Sequence, residues 1–249
     1  MFERCPKCGH HPLPADQTLP AECPACGVIL AKIGAPAPRL VAPALADEDD
    51  DRTLRGLLWH VPERVDVTAF RVRVGLLVAL AIWGLRLAAM DYRDGEIMGS
   101  FVHAPLIVFH EAGHVVFRPF GEWVMTLGGT LGQLLMPAIL CVALLWKNRD
   151  PFGASVGLWF LGVSVLDVAP YIYDALDPQL MLLTGTTGAD GPHDWIYLLD
   201  SMGKLSHAQG LGAFAHAIGV LLLVLALAWG ASVLRLQKRR LAGDVLIER

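Results

Sequence analysis

Long apolar segments constrain the fold of this chain more than any other feature of its sequence. Five of them stand out, at about 72–90, 101–117, 123–146, 152–173 and 210–234. A helix needs about 20 apolar residues to cross the hydrocarbon core of a bilayer. In this chain 54% of the 249 residues are hydrophobic, and the mean hydropathy is +0.48. An ordinary soluble domain reaches only about 45–50%, even with glycine counted. We therefore predict a mainly α-helical, polytopic membrane protein.

The charges that flank these segments predict their orientation. Arg71 and Arg73 stand at the start of the first segment, and Arg235 and the cations at 238–240 follow the last one. By the positive-inside rule both chain ends then face the cytosol, which requires an even number of crossings. One of the five segments, or a part of one, should therefore not cross. The stretch 118–133 is our candidate, with five full crossings as the alternative.

Helix-breaking residues are the reason for selecting 118–133. Pro119 and Gly121 interrupt helical hydrogen bonding, and 128–133 contains three glycines. Irregular backbone at membrane depth is tolerated only where it is buried in protein or lines a wet cavity. We expect this stretch to be a re-entrant, extended segment, which can pair with an unwound peptide by strand addition.

The second apolar segment contains the motif with the clearest chemistry, H-E-x-x-H, formed by His110, Glu111 and His114. Side chains four residues apart on a helix share one face. Two neutral imidazoles at this spacing can bind one Zn²⁺, and the adjacent glutamate can act as a general base. Ionisable groups at membrane depth cost on the order of 2–3 kcal/mol each unless they are paired. The alternative is a pair of buried histidines that hydrogen-bond to neighbouring helices.

A catalytic zinc usually takes three protein ligands, so a third must come from another part of the chain. Asp167 is the first choice, because an aspartate inside an apolar segment is a functional candidate by default. The His193-Asp194 pair on the following loop is the second, although Asp194 can equally begin a short helix as its N-cap. Asp174 is the third. We assign His103, two turns before the motif, to packing or to support of a ligand.

Four cysteines near the start of the chain predict a second metal site. Cys5, Cys8, Cys23 and Cys26 form two C-x₂-C pairs separated by fourteen residues. Thiolates at this spacing hold a closed tetrahedral Zn²⁺. Each C-P-x-C-G unit is expected to be a tight turn with glycine at positive φ. The module resembles a zinc ribbon with short strands, whose folding depends on its metal. Disulfides are the alternative, but no signal peptide is recognisable.

Changes in composition divide the chain into five parts. These are a zinc ribbon at 1–33, a Pro-rich and acidic linker at 34–52, an interfacial segment at 53–70, a membrane domain at 71–240 and a cytosolic tail at 241–249. The linker combines prolines with an acidic run and is not expected to pack. The net charge is −4 and no Lys/Arg cluster with interleaved aromatics occurs, so we do not expect nucleic-acid binding.

The motif region resembles the site-2 protease family of intramembrane zinc metalloproteases. The shared residues are His110-Glu111-Ala112-Gly113-His114, Gly121 with Glu122-Trp123-Val124, and Gly128-Gly129. The resemblance implies a re-entrant, β-like segment after the motif helix and a third ligand from a Leu-Asp-Gly sequence on a later span. Leu166-Asp167 matches its first two letters, and Val168 replaces the glycine. Carried over, the family implies zinc on His110, His114 and Asp167, with Glu111 as general base.

These observations predict an integral, multi-pass zinc metalloendopeptidase of a bacterial-type inner membrane. It would hydrolyse peptide bonds in membrane-anchored or membrane-spanning proteins, with one catalytic and one structural Zn²⁺. Its predicted partners are the membrane, a protein or peptide substrate, and a cytosolic protein that docks on the ribbon. The alternative is a non-catalytic membrane adaptor whose ribbon binds that partner.

Overall fold

The computed structural model describes residues 2–15, 21–30 and 53–247. The chain divides into two compact units, Met1–Glu48 and Asp49–Arg249. The predicted linker at 34–52 lies outside the described residues, as does the end of the predicted tail after residue 247.

Two similar turns build the described part of the first unit. In both, the N–H of the glycine after the second cysteine donates to the carbonyl of the first cysteine at 2.8 Å. Gly9 and Gly27 have φ of +77° and +68°, a conformation that glycine adopts at little steric cost. An isolated antiparallel bridge joins Glu22 to Ile29. The strands predicted for this module are thus reduced, among the described residues, to a single bridge.

In its described part, the second unit contains seven α-helices. Their bounds are α1 Leu54–Leu58, α2 Val67–Ala88, α3 His103–Phe117, α4 Glu122–Trp146, α5 Pro151–Asp174, α6 Asp194–Ser201 and α7 Ala208–Ile247. Four helices of this part are long and apolar enough to cross a membrane, namely α2, α4, α5 and α7. The prediction of a mainly helical protein is confirmed, and four helices of the described residues are candidates for crossing a membrane.

The interfacial segment predicted at 53–70 contains α1 and the start of α2. Thr53 caps α1 by accepting a hydrogen bond from the N–H of Gly56 at 3.0 Å. The indole N–H of Trp229 on α7 donates to the carbonyl of Leu58 at 2.9 Å. The C-terminal end of α1 is therefore attached to α7.

The apolar helix that is too short to cross is α3. Its 15 residues span about 22 Å at 1.5 Å per residue, against a hydrocarbon core of about 30 Å. A 3₁₀ turn at Arg118–Phe120 and Gly121, with φ of +95°, separate α3 from α4. The predicted interruption of the helix is therefore present, and it forms the connection between α3 and α4.

The prediction of an extended, re-entrant segment at 118–133 is wrong, because α4 is helical from Glu122 onward. Its glycines are accounted for by close packing against α3. A Cβ on Gly128 would lie 2.8 Å from the carbonyl oxygen of Gly113, and one on Gly132 would lie 2.8 Å from the Cα of Gly113. Small residues let membrane helices bring their backbones together. The glycines therefore form the contact surface of a helix pair.

The interior of the second unit is built around α5, whose membrane-length window is 67% buried. Trp159 on α5 is 1% exposed and donates its indole N–H to the carbonyl of Leu80 on α2 at 3.1 Å. Gly162 of α5 and Gly219 of α7 lie against each other, since a Cβ on Gly162 would be 3.1 Å from the carbonyl oxygen of Gly219. This packing holds the C-terminal turns of α5 in place, and these turns help to form the site.

Candidate metal centres

The two imidazoles of the motif meet at the contact between α3 and α4. His110 is 5% exposed and His114 is half-buried, and their ring centroids are 4.8 Å apart. Both Nε2 atoms face Gly129 of α4, because a Cβ there would lie 2.5 Å from each of them. The missing side chain of Gly129 therefore leaves a small space in front of both nitrogens.

A hydrogen bond sets the tautomer of His114. Its Nδ1 lies 2.9 Å from the carbonyl oxygen of Met125 on α4. Because a carbonyl can only accept, Nδ1 carries the hydrogen and Nε2 of the neutral ring offers a lone pair. Metal-binding histidines are oriented by such a bond from the other ring nitrogen.

Asp194, the first residue of α6, contacts both imidazoles although α6 is not one of the candidate spans. Its Oδ2 lies 2.9 Å from Nε2 of His110 and 3.2 Å from Nε2 of His114. Donors on a tetrahedral zinc with bonds of 2.0–2.1 Å are separated by about 3.3–3.4 Å. Burial alone would raise the pKa of Asp194, but its close contacts with the rings of His110 and His114 lower it below the usual value. The carboxylate is therefore held in its charged form.

Glu111 lies beside the imidazoles and is exposed. One ligand atom each from His110, Glu111 and His114 lie within 4.8 Å of one another, so this group can hold a metal ion. The predicted motif residues are thus brought together, with the glutamate on the open side of α3.

Asp167, the predicted third ligand, is hydrogen-bonded to two other side chains. Its Oδ1 lies 2.9 Å from Nδ1 of His103, and its Oδ2 accepts a hydrogen bond from Nε2 of Gln133 at 2.7 Å. His103 precedes His110 by seven residues, about 10 Å along the helix axis. The register of α5 against α3 therefore brings Asp167 to the wrong turn for the imidazole pair. His103 hydrogen-bonds to Asp167, which fits the packing role predicted for it.

Of the remaining candidates, His193 directly precedes Asp194, and Asp174 contacts His193. His193 caps α6, accepting from the N–H of Ile196 at 3.3 Å through Nδ1, so the N-cap position considered for Asp194 belongs to His193. Nε2 of His193 lies 3.3 Å from Oδ2 of Asp174. The hydroxyl of Tyr171 on α5 accepts from the N–H of Asp194 at 3.0 Å.

The four cysteines of the first unit form the second candidate centre. The Sγ atoms of Cys5 and Cys26 are 3.7 Å apart, and those of Cys8 and Cys23 are 3.8 Å apart. Sulfurs on a tetrahedral zinc with bonds of about 2.3 Å are separated by about 3.8 Å. All four are free thiols, so the disulfide alternative does not fit, and the group can hold a metal ion.

Hydrogen bonding prepares at least one of these thiols for a metal. Burial would raise the pKa of Cys5, but the backbone N–H groups of Cys8 and Lys7 lower it to about 6. In Cys8 the backbone of His10 lowers the pKa, but contacts with the neighbouring thiols raise it. Thiolates are the form that binds metal.

Two parts of the motif site have no sequence pattern that indicates metal binding. The sequence predicts Gly129 to lie in an extended segment, and the carbonyl of Met125 has no side-chain signature. Asp194 belongs to the second-ranked pair, His193-Asp194. Asp194 stands at the start of a short helix, directly after a long loop. This position favours Asp194 as a ligand, since a short helix after a long loop can fold back onto the helix bundle.

Comparisons with known proteins do not place the chain in a family. No protein-family model matches it, and neither a curated protein nor a solved structure does. The resemblance to site-2 proteases therefore depends on the motif residues alone and stays a prediction.

Proposed function

We propose that this chain is a zinc metallopeptidase that acts at the membrane. The observation that supports this best is the group formed by His110, Glu111 and His114, whose ligand atoms lie within 4.8 Å of one another. Two imidazoles that face one small space, with a carboxylate beside them, suit metal-assisted hydrolysis. The chemistry of these donors fits Zn²⁺, which binds imidazole and carboxylate ligands.

In the proposed reaction, Glu111 acts as general base. When bound, zinc supplies Lewis acidity, which polarises the scissile carbonyl and lowers the pKa of water. Glu111 takes a proton from the attacking water while the oxygen of that water bonds to the carbonyl carbon. The C–N bond then breaks, and Glu111 passes the proton to the departing amine. The bond from His114 to the Met125 carbonyl keeps the ring in the tautomer that binds metal.

The surroundings of Glu111 suggest a membrane-anchored or membrane-spanning substrate. Val108 and Val115, one turn before and one turn after Glu111, are 63% and 73% exposed. The three residues share one face of α3 at the spacing of helical neighbours. A substrate segment that already lies in the membrane can reach an apolar face of this kind without crossing water.

For the first unit, we propose a structural zinc bound by Cys5, Cys8, Cys23 and Cys26. The sulfur separations support this metal, and a site closed by four thiolates leaves no position for a substrate. A small module of this kind is suited to docking a cytosolic protein.

The test compares wild type with the Glu111→Gln variant, using the full chain loaded with zinc in detergent. The probes are β-casein and a membrane-spanning model peptide, with the products identified by mass spectrometry. Removing a general base costs about 10²–10⁴-fold in rate, so the cleavage rate of Glu111→Gln should fall by about that factor while the variant keeps its zinc. Glu122→Gln, an exposed carboxylate at the start of α4, is the matched control and should cleave like wild type.

Equal cleavage by wild type and Glu111→Gln would end this proposal. If zinc-loaded wild type leaves both probes intact, the result favours the adaptor, which predicts no cleavage by any variant.

A further inference from the structure

We infer that Asp194 is the third protein ligand of the metal held by His110 and His114, and that Tyr171, His193 and Asp174 hold it in position. The inference rests on the proposed function only in sharing its metal site. It assigns the ligand to a short helix outside the candidate spans, where Asp194 begins α6.

The first argument is the chemistry of the facing atoms. The hydrogen of His114 is on Nδ1, which lies 2.9 Å from the Met125 carbonyl oxygen, so Nε2 of the neutral ring has only a lone pair. That lone pair faces Oδ2 of Asp194 at 3.2 Å. Two acceptors at this distance need a cation between or beside them, which is either a proton or a metal ion.

One divalent cation satisfies this requirement better than protons do. The same Asp194 oxygen also lies 2.9 Å from Nε2 of His110. Protons alone would have to charge at least His114, because both of its ring nitrogens face oxygen atoms, next to a second ring at a centroid separation of 4.8 Å. A single Zn²⁺ serves both nitrogens and the oxygen at once. The space left by Gly129 lies in front of both nitrogens.

The second argument is that both oxygens of Asp167 already accept hydrogen bonds from other side chains. His103 donates to Oδ1 of Asp167 at 2.9 Å, and Gln133 donates to Oδ2 at 2.7 Å. Asp167 is 3% exposed, so releasing either oxygen would leave buried polar groups without partners. Its carboxylate is therefore explained by structural bonds between α3, α4 and α5.

The third argument is a set of contacts that fix Asp194. The hydroxyl of Tyr171 accepts from the N–H of Asp194 at 3.0 Å, and the ring of Tyr171 lies 4.2 Å from that of His193. His193 caps α6 and lies 3.3 Å from Asp174. Tyr171 and Asp174 are three residues apart on α5 and thus on one face. The end of α5 therefore holds the first turn of α6 through adjacent residues.

The loop after α5 is anchored at the same point. Oδ1 of Asp174 accepts from the N–H groups of Gln179 and Leu180 at 2.7 and 3.0 Å. We therefore describe Asp174 and His193 as positioning residues, which act on the metal only through Asp194. Supporting partners of this kind are worth about 10–100-fold in metal affinity.

The experiment counts zinc per full chain by atomic emission after dialysis against a weak chelator. Wild type should hold two zinc ions, Asp194→Asn should hold one, and the matched control Asp167→Asn should hold two. Three results would overturn the inference: wild type with one zinc, Asp194→Asn with two, or a loss in Asp167→Asn alone. Because the count needs no turnover, a failure of the peptidase proposal at Glu111 leaves this result interpretable.

A ligating replacement separates loss of a ligand from loss of folding. With Co²⁺ in place of zinc, Asp194→Cys should keep two metal ions per chain. It should also show a thiolate-to-cobalt charge-transfer band in the difference spectrum against wild type, since the four cysteines of the first unit contribute equally to both. Absence of this band would contradict ligation by residue 194.

The positioning role is tested by His193→Asn, which preserves an N-cap residue but removes the ring next to Asp174. We expect zinc affinity at the motif site to fall 10–100-fold in a competition titration, with the count still two at saturating zinc. An unchanged affinity would limit His193 to capping α6.

Discussion

Gly129→Ala is the sharpest structural test of the motif site, because it puts one methyl group where the metal is proposed to bind. That Cβ would lie 2.5 Å from both Nε2 atoms of His110 and His114, and 2.7 Å from Cε1 of His114. These separations are too short for packed atoms, so either the rings turn away or α3 and α4 separate. Both ligands are displaced in either case.

The expected loss of zinc affinity exceeds the loss of stability. Disturbing a single supporting partner costs up to about 100-fold in affinity, so displacing two ligands should cost at least that, or about 2.8 kcal/mol. Overpacking destabilises by about 1–3 kcal/mol, while replacing glycine by alanine in a helix recovers about 1 kcal/mol. The net effect on unfolding should therefore be at most about 2 kcal/mol.

The assay is a competition titration with a chromophoric chelator on the full chain in detergent, followed by thermal unfolding of the same samples. Gly132→Ala is the control, because its Cβ would strike the Phe109 carbonyl and the Cα of Gly113 without meeting an imidazole among its nearest atoms. It disturbs the same helix contact. If Gly129→Ala binds zinc as tightly as wild type does, the proposed location of the metal is refuted.

Two further predictions concern the metals. Removing zinc from the motif site should increase hydrogen exchange in α6, because a metal bound by Asp194 ties this helix to α3; equal exchange with and without zinc would contradict the link. Cys23→Ser, at a buried position, should lower the zinc count from two to one. It should also raise hydrogen exchange in residues 21–30, because metal supplies folding energy to such a module. A count that stays at two would contradict a four-cysteine site.

The glycines of α4 show why composition misled the prediction at 118–133. Glycine lowers helix propensity by about 1 kcal/mol relative to alanine, and from the sequence alone this favoured irregular backbone. In the structure Gly113, Gly128 and Gly132 lie where two helix backbones meet. The packing energy of that contact outweighs local propensity, and nothing within 128–133 itself reveals the partner helix.

The third ligand shows a different limit. Asp167 and Asp194 were both considered, and an aspartate inside an apolar segment was the stronger local signal. Which one meets the imidazoles depends on how far α5 is shifted along α3. A shift of two helical turns, about 10 Å, separates the partner that Asp167 finds, His103, from the motif.

Local geometry is what the amino-acid sequence determined by itself. The long apolar helices follow from the length of the apolar segments, the turns at Gly9 and Gly27 follow from residue types within five positions, and the pairing of His110 with His114 follows from helical periodicity. All three are set by distances along one element. Only the tertiary structure decided that α3 packs on the glycines of α4 and that Asp194 returns to the motif. Such contacts depend on the rotation and register of packed helices, which no single segment encodes.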